Sequence, residues 1–262
     1  MTSLSAARLD QLLALALALA DASGPIIARY FRTGTTVLDK ADLSPVTAAD
    51  RDAEAAMRAL IAERMPEAGV FGEEMGADRV DAEFVWVLDP IDGTKSFVTG
   101  KPLFGTLIGL VHQGRPIVGV LNQPVLRERW VGAAGRPSSF NGQAIRTRPC
   151  PNLSDAWLYA TTPAMFEGAD EAAWKRLSAA VKFPVYGADC YAYGMLASGW
   201  TDLVVEALLK PYDWCALVPI VEGAGGRMTD WDGRPLGLEP VGHALAAGDP
   251  KLHEAALERL RR

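Results

Sequence analysis

Trp86-Val87-Leu88-Asp89-Pro90-Ile91-Asp92-Gly93-Thr94 is the stretch on which the fold is decided. It starts inside a strand-like apolar run, Phe84–Leu88, and ends in a segment of turn-forming Asp, Pro and Gly. A turn alone has no need of a second carboxylate three residues after the first, followed by Gly and then a hydroxyl. Two carboxylates with a backbone carbonyl between them can converge on a hard divalent cation, which takes oxygen ligands. Gly93 lets the backbone approach an anion closely, and if a helix follows, the Gly93 and Thr94 amides point at it. One loop can therefore hold a metal and an anion side by side.

Upstream, Leu4 to about Phe31 is rich in Ala and Leu, with Leu9, Leu12, Leu13, Ala16, Leu19 and Ala20 at helical spacing. A long helix is expected, disturbed locally at Ser23-Gly24-Pro25. The polar segment Thr33–Ser44 reads as a loop or short hairpin. A second helix starts after Pro45, with Ala53, Met57, Leu60 and Ile61 as its apolar stripe and Pro66 and Gly69 ending it. Strand-like runs follow at Val70-Phe71, Phe84–Leu88, Gly105–His112, Ile117–Gln123 and Trp130–Ala133. An antiparallel sheet flanked by two helices fits residues 1–148. From 149 to 262 the pattern changes. Strands at Trp157–Thr161, Leu203–Glu206, Arg227–Thr229 and Ala244–Ala247 alternate with helices near Glu171–Val181, Cys190–Ala197, Trp214–Ala224 and Pro250–Arg262, an α/β half with mixed strand directions.

At 262 residues, with 49% hydrophobic and 22% charged, the chain can bury a large core. A formal charge of −6 with no basic run argues against nucleic acid or an anionic membrane as partner. Cys150, Cys190 and Cys215 form no CxxC pair and read as free thiols, which suits a reducing cytoplasm. His112, His243 and His253 are too scattered for a histidine metal site or a Ser-His-Asp arrangement. The apolar stretch Leu12–Ala20 lacks a basic leader and is short of the roughly 20 residues a bilayer needs. No export signal is evident, so a cytoplasmic location is expected.

Four acidic groups stand at element boundaries: Asp50, Glu73-Glu74, Asp89 with Asp92, and Asp213. Singly each has a plain explanation. Asp50 can favour a helix dipole, Asp213 can be an N-cap, and Glu73-Glu74 can be a solvated loop. Together they resemble the inositol monophosphatase superfamily of magnesium phosphatases. Asp89-Pro90-Ile91-Asp92-Gly93-Thr94 is similar to that family's signature, and Gly72-Glu73-Glu74 to its upstream acidic motif. Pro45-Val46-Thr47-Ala48-Ala49-Asp50 is similar to its second-helix entry, and Asp213 with Glu222-Gly223-Ala224-Gly225-Gly226 to its C-terminal motif. The resemblance implies a layered α/β/α/β/α sandwich, usually a homodimer, that hydrolyses a small phosphate monoester. It assigns Glu73, Asp89, the Ile91 carbonyl, Asp92 and Asp213 as ligands of two or three Mg²⁺, with Mn²⁺ as a substitute. Asp50, Glu73 and Thr94 take catalytic roles at the attacking water. Asp92, Gly93, Thr94 and Asp213 contact the substrate, and the mobile-loop lysine corresponds to Lys40. No covalent phosphoenzyme is implied, and bound metal resolves the conflict between an acidic protein and an anionic substrate.

Within the superfamily, Thr94–Leu110, Gly187–Gly194 and Asp202–Trp214 resemble the histidinol-phosphate phosphatase branch. The resemblance places Glu206 against the substrate's organic portion, with Asp189 near it. Histidinol phosphate carries an ammonium and an imidazole, which two extra carboxylates would complement. The plain alternatives are that Asp189 caps the helix at Cys190 and Glu206 merely ends a strand. The competing functions are an inositol-1-phosphate or broad sugar-phosphate phosphatase, an adenosine 3′,5′-bisphosphate phosphatase (Lys95 follows the Asp-Gly-Thr triplet there too), and a non-catalytic relative.

Overall fold

The computed structural model describes residues 4–34, 37–39 and 45–261. Two helices, Ala6–Tyr30 and Ala48–Arg64, cover one face of an eight-stranded sheet. The strand Phe84–Asp92 lies inside that sheet and divides its side chains by parity, as a pleat requires. Phe84, Trp86 and Leu88 meet Leu12, Leu19, Met57 and Ile61 of the helices. Val85 and Val87 face the other way, onto the helices Tyr191–Ala197 and Leu217–Gly223. Those helices rest in turn on the strands Leu203–Glu206, Arg227–Thr229 and Ala244–Ala247 of a five-stranded mixed sheet. Its far face packs on the helices Ala169–Ser178 and Pro250–Arg261. The layers are α/β/α/β/α.

The long helix runs through Ser23-Gly24-Pro25 without a break, where a disturbance was expected. Pro25 forfeits the backbone bond to the Asp21 carbonyl, a single loss that burial of the surrounding helix outweighs, and the fully buried Ser23 satisfies its own hydroxyl by donating to the Leu19 carbonyl at 3.0 Å. By length and composition this helix could cross a bilayer, unlike the shorter Leu12–Ala20 stretch. Here Leu12, Leu15, Leu19 and Ile27 are instead buried against the sheet.

Two departures from the sequence reading create the site. First, Gly69–Gly72 runs parallel to Phe84–Asp92 within the otherwise antiparallel sheet, with Gly72 opposite Leu88. Parallel pairing brings the following residues, Glu73 and Asp89, out at the same end. Second, the helix expected over Trp214–Ala224 is two, Pro211–Trp214 and Leu217–Gly223. Pro219 has no N–H to give the Cys215 carbonyl, so the helix is interrupted there. The break sits on a row of glycines, Gly109, Gly119 and Gly132, aligned across three neighbouring strands. A Cβ on Gly119 would lie 1.8 Å from the Ala216 oxygen, and one on Gly132 2.3 Å from the Pro219 oxygen. Bare backbone lets residues 215–220 lie directly on the sheet.

The strand Phe183–Tyr186, at the edge of the five-stranded sheet, was also not expected. Pro184 and the exposed Phe183 suit an edge but give no alternating pattern.

His253 is fully buried, and its Nε2 lies 2.9 Å from Thr229 Oγ1. That hydroxyl already donates to the Asp230 carbonyl, so it accepts from His253, and Nδ1 is left with no partner. Burial, then the Arg227 and Arg261 charges, push the imidazole down to about 4. The unfolded chain therefore binds a proton near pH 6.5 that the fold refuses. Stability is complete above that pH and falls by roughly 3 kcal/mol as pH drops to about 4. His253→Gln should flatten the melting temperature between those pH values relative to the native protein; parallel curves would remove His253 as the cause.

Candidate active site

Pro90 cannot donate to a ladder, and between Asp89, opposite Leu107, and Asp92, opposite Gly105, the register slips by one residue. Residues three apart on a regular strand point to opposite faces; this bulge turns Asp89 and Asp92 toward one another. Gly93 then takes φ +90°, a left-handed conformation, and caps the short helix Thr94–Val98. Thr94 Oγ1 donates to the Ile91 carbonyl at 3.1 Å, which ties the hydroxyl to the one backbone oxygen assigned as a ligand.

Around this bulge the other acidic residues assemble. Asp50 sits in the first turn of its helix, where its Oδ2 accepts from the Thr47 amide at 2.8 Å and the Thr47 hydroxyl at 2.6 Å. Its Oδ1 is buried with no partner. Asp213 is not an N-cap. It lies inside the helix Pro211–Trp214 and reaches back to accept from the Lys210 amide at 2.7 Å. Glu206 does end a strand, but its side chain turns inward: Oε1 accepts from the Thr161 amide and hydroxyl, and Oε2 from Tyr193 at 2.9 Å. Asp189 does not cap the helix Tyr191–Ala197. At φ +46° its Oδ2 accepts from Ser96 at 2.9 Å, and a Cβ on Gly93 would touch it at 3.0 Å. Lys101 donates to the neighbouring Gly187 carbonyl. Lys40 lies outside the described residues.

Electrostatics bind these residues into one cluster. Burial, then the charges of Glu73, Asp92 and Asp213, hold Asp89 well above the usual carboxylate range. Asp92 is raised by burial and then by Asp213, Asp189, Glu206 and Glu73. Burial pushes Asp213 up to about 8, with Glu73 and Glu206 adding to it, and Glu206 up to about 7. Asp50 is raised by burial, against its two bonds from Thr47, and feels Glu73. Asp50, Asp89 and Glu206 are buried, whereas Glu73, Asp92, Gly93, Thr94, Asp189 and Asp213 keep some solvent contact. The cluster thus has a buried part and an accessible part.

Among the described residues, no three carboxylate, imidazole or thiol side chains are already close enough together to hold an ion. The donor set nevertheless fits a hard cation. Every side-chain donor is an oxygen, the acids raise one another's pKa, and Asp89 Oδ1 and Asp50 Oδ1 are buried lone-pair donors with no proton to accept. The grooves of about 640 and 810 Å³ that flank the first helix are lined by none of these carboxylates. We place the chemistry with the converging charges.

Sequence reasoning missed Glu54. It is completely buried one helical turn after Asp50, and its only signal was the four-residue spacing to Arg58.

A family model described as the inositol monophosphatase family matches residues 8–262. The chain is 51% identical over 268 residues to the bifunctional phosphatase IMPL2, chloroplastic, of Arabidopsis thaliana, covering 99% of this chain and 78% of the relative. It is 34% identical over 263 residues to a histidinol-phosphatase of Mycobacterium tuberculosis, covering 95% and 97% of the two chains. A solved inositol monophosphatase from Zymomonas mobilis superposes with a TM-score of 0.90 at 50% identity, covering 99% of this chain and all of the other.

Proposed function

The chain belongs to the inositol monophosphatase family, and from that premise we propose that this phosphatase hydrolyses a cationic phosphate monoester of the histidinol-phosphate type, by direct attack of water on phosphorus. The observation that carries the hydrolytic reading is the gathering of Asp50, Glu73, Asp89, Asp92 and Asp213, from four separate parts of the chain, into one cluster in which the Glu73 charge reaches all four of the others. Glu73, Asp89, the Ile91 carbonyl, Asp92 and Asp213 are read as holding Mg²⁺. When bound, it supplies charge neutralisation, a lowered pKa for water and stabilisation of the leaving alkoxide. Asp50, fixed through one oxygen by Thr47, keeps the other available for a proton. Thr94 orders the Ile91 carbonyl and orients water with the same hydroxyl. The Gly93 and Thr94 amides open a turn in which Gly93 itself adds no side chain to hinder a phosphate oxygen. The homodimer implied by the resemblance belongs with this reading.

Substrate choice rests on Asp189 and Glu206. Both act on Asp92, so they border the reacting end of the site, and Ser96 holds Asp189 against the Gly93 turn. Two carboxylates beyond the metal set make the leaving-group side attractive to an ammonium or imidazolium. The histidinol-phosphatases of Mycobacterium tuberculosis and Chlorobaculum parvum among the relatives support this reading. The test is kcat/KM for L-histidinol phosphate, inositol 1-phosphate and adenosine 3′,5′-bisphosphate with Mg²⁺. The first should lead by at least about tenfold, ~1.4 kcal/mol of transition-state stabilisation, and Asp189→Asn should erase the lead while sparing the neutral ester. A lead for inositol 1-phosphate would reverse the assignment.

A further inference from the structure

Glu73 follows Gly72 on the parallel strand, and a separate set of contacts fixes the turn it stands on. Glu54, from the helix that also carries Asp50, enters beneath this turn with no exposed surface. Its Oε2 accepts from the Glu74 amide at 2.8 Å, and its Oε1 from the Met75 amide at 3.1 Å. Arg58 Nε donates to the same carboxylate at 2.7 Å, and Arg58 Nη2 donates to the Gly76 carbonyl. On the other side, the Glu73 amide donates to the Leu88 carbonyl at 3.0 Å. Gly72 makes room for this approach, because a Cβ there would lie 2.0 Å from Glu54 Oε1. A buried carboxylate is costly unless it is paired and hydrogen-bonded, and this one has a guanidinium and two amides.

We propose that Glu54, locked to Arg58, is a positioning residue that holds Glu73 beside Asp89 for cation capture. Glu54 touches neither metal nor substrate; it acts through the backbone of residues 72–76. Asp50 and Glu54, one turn apart, let a single helix set both the proton acceptor and a metal ligand. The inference rests on the metal-site reading above, and binding by the native protein tests that reading separately.

The decisive measurement is Mn²⁺ binding to metal-free protein, read from the free-ion electron paramagnetic resonance signal and needing no turnover. Glu54→Gln keeps the shape but places an amide where two N–H groups and a guanidinium require an acceptor. It should weaken Mn²⁺ binding by about 10–100-fold, as loss of a ligand's supporting partner does. Raised Mg²⁺ should restore most of kcat, and Glu54→Asp should fall between the two. Glu63→Gln, exposed on the same helix, should change nothing. If Glu54→Gln does not fold, Arg58→Lys takes its place, with loss of the Gly76 contact and the same direction expected. Native Mn²⁺ affinity in a folded Glu54 or Arg58 variant would overturn the clamp alone. Absence of Mn²⁺ binding by the native protein would overturn the metal site, and the clamp with it.

Discussion

Asp92→Asn lowers kcat/KM by at least about a thousandfold, ~4 kcal/mol of transition-state stabilisation, without lowering the melting temperature. The two halves of this expected result have one cause. Asp92 is the group on which Asp213, Asp189, Glu206 and Glu73 all act, so burial and four like charges penalise its ionised form in the folded protein. A free energy of that kind is spent for chemistry, not for the fold. Asparagine matches its volume, removes the repulsion and leaves an amide where the proposed metal site calls for an anionic ligand. The bulge is set by backbone and by Pro90, so its geometry survives the change. Kinetics with Mg²⁺ and a thermal melt of the same preparation decide the matter. Residual activity above about a tenth of native, or a melting temperature several degrees lower, would each contradict this account of Asp92.

Gly119→Ala has the opposite character, with its primary effect on stability. The added methyl would sit 1.8 Å from the Ala216 carbonyl oxygen and 2.8 Å from the Pro219 ring. Neither neighbour is a flexible side chain. Overpacking against backbone costs roughly 3 kcal/mol or more, which lowers the melting temperature of a chain this size by about 10 °C. The displaced segment begins next to Asp213, so activity at permissive temperature should fall as well. A melting temperature within about 2 °C of native would show that residues 215–220 are not seated on the glycine row.

Much of this was legible because local chemistry and periodicity agreed. Leu203–Glu206 and Ala244–Ala247 formed strands with the expected bounds, and the Asp89–Thr94 loop lies in the centre of the cluster. What could not be read depends on partners distant in sequence. Nothing within Gly69–Gly72 states that it runs parallel to its neighbour, although that direction brings Glu73 to Asp89. Glu54 and Arg58 have the spacing of an ordinary solvent-facing helix pair, and only the approach of Gly72 buries Glu54 beneath the partly exposed Arg58. The interruption after Trp214 reflects Pro219 and three glycines more than 80 residues earlier in the chain. The cap stayed open as an alternative for Asp189 because sequence alone does not reveal Ser96 across from it.

The order of strands in the smaller sheet also bears on synthesis. Ala244–Ala247 lies between Leu203–Glu206 and Arg227–Thr229 and pairs with both. On a ribosome, those two earlier strands emerge with the place between them unfilled. The Glu206 strand gains its second neighbour only when residue 247 is out, so the nascent chain cannot complete the wall that carries Glu206 until about 40 residues after that side chain has been made.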